Sequence, residues 1–79
     1  MNAKEKAMEI LRRISGNENI RESDTLIGGV GLDSLGMITL LLEIEACFRV
    51  RLDESDMNPY DLVRVLDVIA LAEKYAGVK

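Results

Sequence analysis

The sequence contains no histidine and no tryptophan, one cysteine, one proline and three aromatic residues, Phe48, Tyr60 and Tyr75. Each shortage excludes something. Without histidine there is no Ser-His-Asp triad, no imidazole general base and no ordinary zinc site. Cys47 alone cannot close an intramolecular disulfide, and a single thiol suits a reducing compartment, the cytoplasm. No apolar run approaches the roughly 20 residues that span a bilayer, and the first residues lack the apolar stretch of a signal peptide. Basic side chains are in the minority, 10 against 14 acidic ones, for a formal charge of −4. Neutralising phosphates needs a basic face, so nucleic acid is excluded as a partner, while proteins that present Lys and Arg are favoured. A chain without these groups reads as a non-enzyme.

What is present is aliphatic. The 79 residues, 48% hydrophobic and 30% charged, suffice for one compact, soluble, monomeric domain spanning 1–79. A core of this size rarely supplies more than about 3–5 kcal/mol, so packing must be efficient. Ala3, Ala7, Ile10, Leu11 and Ile14 recur at helical spacing and predict a helix over Ala3–Ser15. Asn2 and Glu5 form its capping box, and Gly16 supplies its left-handed stop. From Gly16 to Leu32 the turn-forming residues Asn17, Asn19, Ser23, Asp24 and three glycines read as a long loop. Ile20, Leu26, Ile27 and Val30 are available to pin it to the core, Leu26 foremost.

A second helix is expected from Ser34 to Phe48 or Arg49, capped by Asp33, with Leu35, Ile38, Leu41, Ile44 and Phe48 as its buried stripe. Leu40, Leu42 and Met37 widen its apolar surface beyond what a core stripe requires. Val50 and Leu52 then anchor a connector, and 53–56 forms a turn or one short helix. A last helix is expected to start with Asn58 as cap and Pro59 at its first position. It presents Leu62, Val65, Leu66, Ile69, Ala72 and Ala76, and Gly77 stops it. The predicted architecture is all-α, a small four-helix bundle of three main helices plus one short helix, with a long loop between the first two.

The acidic cluster Asp53, Glu54, Asp56 and Asp61 fails as a calcium loop. Counted from Asp53, its sixth position is Asn58 instead of glycine and its twelfth is Arg64 instead of glutamate. No metal site is expected. Cys47 reads as a small, partly buried filler.

One segment carries chemistry: Gly31-Leu32-Asp33-Ser34-Leu35-Gly36. It sets a serine hydroxyl on the first turn of a helix beside a capping carboxylate, where outward amides and the dipole favour an attached phosphate. Alone, Ser34 reads as a residue that merely helps Asp33 start the helix. With its surroundings the segment resembles the acyl carrier protein family. The likeness runs through Asp24-Thr25-Leu26, Gly31 to Leu35, Phe48 at the end of the second helix, and Leu66-Asp67-Val68-Ile69 in the last.

That resemblance implies that Ser34 is esterified with 4′-phosphopantetheine, taken from coenzyme A by a phosphopantetheinyl transferase. The arm's thiol then carries acyl groups as thioesters between loading and processing enzymes of fatty-acid, polyketide or related lipid biosynthesis. It also implies that Asp33 takes part in recognition by the transferase, besides capping. Gly36 following the serine leaves room for close approach. Gly36, Thr39 and Ala46 are neutral where the family often has acids, leaving Glu43 and Glu45 on the second helix. Leu35, Met37, Leu42 and Glu45 are the candidate partner contacts, with Met37 and Leu42 alternatively peripheral core. Two other readings stand beside this one. One is an aminoacyl or peptidyl carrier served by an adenylating ligase; the other is a helical interaction module in which Ser34 is a plain cap.

Overall fold

The computed structural model describes residues 2–76. Three helices form its frame: α1 (Ala3–Ser15), α2 (Ser34–Phe48) and α3 (Val65–Ala76). Short 3-10 turns at Glu54–Asp56 and Pro59–Asp61 lie between α2 and α3. The described residues contain no strand, so the chain is all-α, as its periodicity predicts.

The first helix forms where expected and for the expected reasons. The Asn2 side chain accepts the Glu5 amide at 2.8 Å, Glu5 reaches back to the Asn2 amide, and Gly16 closes the helix at φ +71°. α1 packs against both α2 and α3. The shared core takes Ile10 and Leu11 from α1, Leu40, Leu41 and Ile44 from α2, and Val65 and Val68 from α3, all nearly or fully buried.

The long loop is ordered, and Leu26 is its fully buried pin, with Ile20 and Val30. Ile27 is not a pin; it is 67% exposed. The difference arises because 26–30 winds into one π turn. The Thr25 carbonyl accepts both Gly29 and Val30 amides, so Leu26 and Val30 share the inner side and Ile27 is turned out. Gly31, at φ +94°, ends the turn in a conformation that side chains rarely adopt.

The last helix starts six residues later than expected, at Val65. Asn58 does act as a cap, accepting the Tyr60 amide at 3.0 Å, but only for the 3-10 turn that Pro59 opens. The chain then extends through Leu62, because the loop claims this stretch. Leu26 N–H donates to the Val63 carbonyl at 2.9 Å, Val65 N–H to Asp24 and Leu66 N–H to Glu22. Arg64 also donates to the Ser23 carbonyl at 2.7 Å. Loop carbonyls thus satisfy first-turn amides that a helix cannot pair by itself. Gly77, the expected stop, lies outside the described residues.

Candidate functional site

The buried stripe of α2 is not the one that the spacing first suggests. Leu35 is 70% and Ile38 50% exposed, whereas Met37, at 3%, joins Leu40, Leu41 and Ile44 inside. Both sets obey helical spacing because α2 is apolar on nearly every side, so periodicity alone could not choose between them. Contact with α1 and α3 makes the choice. Of the four candidate contacts, Leu35 and Leu42 face out, and Met37 is corrected to a core position. Glu45 is half-buried, and its carboxylate accepts the Leu52 amide at 2.9 Å. Cys47 is exposed and fills no core gap.

Asp33 and Ser34 divide the work at the start of α2. The Asp33 carboxylate accepts the Gly36 amide at 2.7 Å and its backbone is extended, as a cap requires. The capping function is therefore filled without the neighbouring hydroxyl, and Ser34 stands exposed on the first turn. Gly36 has a local reason. A Cβ there would sit 3.2 Å from the capping Asp33 oxygen and 3.4 Å from Leu32, so the glycine relieves crowding at the cap.

Ser34 borders an apolar trough of about 280 Å³. Met37 forms its buried floor; Ile27 of the π turn, Ile38 of α2, and Pro59, Tyr60, Leu62 and Val63 of the connector form its sides. None of the lining residues but Ser34 and Met37 was singled out from the sequence as part of a site. The helix expected from Pro59 onward would absorb these connector residues, and the trough exists because the chain is extended at 62–63. One signal is available: Asp67 stands at the third position of a helix that starts at Val65, where an acid can accept the backbone amide of the residue preceding the helix. Its carboxylate accepts the Arg64 amide at 2.9 Å and the Val63 amide at 3.0 Å, and these two bonds hold it below the usual carboxylate range.

A second polar cluster holds the outer turn of the connector. Asp56 accepts from Lys74 Nζ at 2.8 Å and from the Tyr75 hydroxyl at 2.5 Å, while that hydroxyl accepts the Asp53 amide at 2.9 Å. The Lys74 ammonium, then the Tyr75 hydroxyl, depress Asp56, and the Asp56 carboxylate raises both partners. Among these acids the Asp56 carboxylate thus ties the connector to α3.

No helix among the described residues is long and apolar enough to cross a membrane. A family profile described as a phosphopantetheine attachment site matches residues 5–72. No curated protein matches the chain.

Proposed function

The chain belongs to the phosphopantetheine attachment site family of carrier proteins, and on that premise we propose that Ser34 is the attachment residue and that the cargo is an acyl group. Members of this family are carriers without catalytic activity, modified by a phosphopantetheinyl transferase and served by loading enzymes. The family implies a 4′-phosphopantetheine group, which supplies a flexible arm ending in a thiol.

The residues present fit that group. Ser34 is exposed where helix amides and dipole favour a phosphate, and Asp33 leaves its hydroxyl unneeded for capping. Ser34 requires no base of its own, because the transferase activates it. Asp33 holds the helix start in place and stands beside the hydroxyl for the transferase to recognise.

The observation that carries the acyl reading is the trough. The trough opens beside Ser34, so a hydrocarbon chain carried on the thiol of the arm and folded back against the protein finds Ile27, Ile38, Leu62 and Val63, with Met37 beneath. Each methylene buried there contributes up to about 0.8 kcal/mol. A polar aminoacyl group gains nothing comparable. The protein then acts as one monomeric domain in the cytoplasm, passing cargo between loading and processing enzymes of fatty-acid, polyketide or related biosynthesis.

Two measurements test this. Incubation with coenzyme A and a broad-specificity transferase should add the mass of one phosphopantetheine to the wild type. Ser34→Ala should add nothing while keeping its circular dichroism. An unmodified wild type, or a loaded mutant, overturns the assignment of Ser34. Loading straight acyl chains of increasing length should then raise the melting temperature by about 3–6 °C per buried methylene, and an aminoacyl group should not. A flat response along the series overturns the acyl reading and leaves the peptidyl one.

A further inference from the structure

We propose that enzymes reaching Ser34 dock on an uncharged, apolar face of α2 through an apolar groove of their own, without electrostatic steering. The inference rests on the carrier reading of Ser34 and concerns which chemistry recognises the protein around it.

Leu35, Ile38 and Leu42 follow one another by three and four residues and therefore share one side of α2. They are 70%, 50% and 54% exposed. Thr39 and Ala46 complete that side, so no charged residue lies along its centre from Leu35 to Ala46. Ile27, exposed on the π turn, extends the apolar surface at the trough it shares with Ile38. The patch begins one residue from Ser34, so an enzyme that covers the serine covers the patch. Four large aliphatic side chains in water contribute little to the fold, and a contiguous patch of this kind is the mark of a contact surface.

Charge complementarity decides what covers it. α2 has two carboxylates, and both flank the centre of this face instead of lying on it. Glu43 is ion-paired with Arg13 of α1, and Glu45 accepts the Leu52 amide. Asp33, at the serine end, already accepts the Gly36 amide. Arg49 and Arg51 lie exposed beyond the other end. Other acids that contribute to the net charge of −4 sit elsewhere, among them Glu9, Glu18 and Glu73. A basic patch on an enzyme would find no carboxylate along the centre of this face and would meet Arg13 and Arg49 at its margins. A groove that is apolar, with a neutral or acidic rim, fits. The expectation from net charge alone, a partner rich in Lys and Arg, is replaced for this face.

The probe is a broad-specificity phosphopantetheinyl transferase acting on the apo protein with saturating coenzyme A, assayed from 25 to 500 mM NaCl. KM for the wild type should change less than about twofold across that range, since screening has little to act on. Leu42→Ala should raise KM about tenfold or more with kcat unchanged, and Glu43→Gln should leave both within about twofold. A KM that climbs tenfold with salt overturns the inference while leaving Ser34 assigned; so does a Glu43→Gln loss equal to that of Leu42→Ala. Absence of modification at every salt concentration overturns the carrier reading, and this inference with it.

Discussion

Removing the Asp67 carboxylate tests how the site is held together, because Asp67 lies outside the trough yet fixes the segment that walls it. Its Oδ2 accepts two amides, those of Val63 and Arg64, at 3.0 and 2.9 Å. In Asp67→Ala both donors lose their partner and the first turn of α3 loses its acid. Capping losses of this kind are about 1–2 kcal/mol, a large share of the about 3–5 kcal/mol that a core this small supplies. The melting temperature should fall by roughly 4–16 °C. Asp67→Asn keeps one acceptor oxygen and should lose less.

The same carboxylate also predicts a pH dependence of known sign. Asp67 is held below its ordinary value by the Arg64 amide and then the Val63 amide. Its contribution is therefore complete above the unfolded carboxyl value of about 3.9 and is lost as pH falls through the lower folded value. The stability gap between wild type and Asp67→Asn should be constant from pH 7 to 5 and close below about pH 4. Thermal melts by circular dichroism at several pH values measure it, and amide exchange at Leu26, Val65 and Leu66 should quicken in the alanine variant. Equal melting temperatures at pH 7, or a gap unchanged at pH 3, would refute the reasoning.

Three further outcomes are expected. Arg49 adopts φ +55° at the end of α2, so Arg49→Gly should stabilise the protein by about 0.5–1 kcal/mol, seen as a higher urea midpoint; a lower midpoint would show that the arginine makes compensating contacts. Leu26→Ala removes the fully buried pin of the loop and should cost about 2–5 kcal/mol, enough to leave much of the sample unfolded by circular dichroism at 25 °C. Tyr75→Phe deletes the hydroxyl that joins Asp56 to the Asp53 amide and should cost about 1 kcal/mol, with faster amide exchange confined to the connector. That tie also has an alkaline limit: Tyr75 and Lys74 are raised by the Asp56 carboxylate, so their contribution is complete below about pH 10 and lost above it.

Local chemistry determined much of this protein, and residues whose signal is local are legible without coordinates. Both ends of α1 and the start of α2 follow from Asn2 with Glu5, from Gly16 and from Asp33, each of which satisfies a backbone group of its own turn. The missing histidines and the single cysteine exclude whole chemistries by elimination. The segment around Ser34, together with Asp24-Thr25-Leu26 and Leu66-Asp67-Val68-Ile69, carries the resemblance to carrier proteins.

Three features required the tertiary structure. Which side of α2 is buried could not be read, because two apolar stripes compete on one helix and only α1 and α3 decide that Met37 goes in while Leu35 and Ile38 stay out. The start of α3 could not be read, because the loop carbonyls of Glu22 and Asp24 serve its first amides from some 40 residues away. The trough beside Ser34 follows from both: it lies where the outward flank of α2, the turned-out Ile27 and the extended 62–63 segment meet, and partners distant in sequence leave no period for a reader to find.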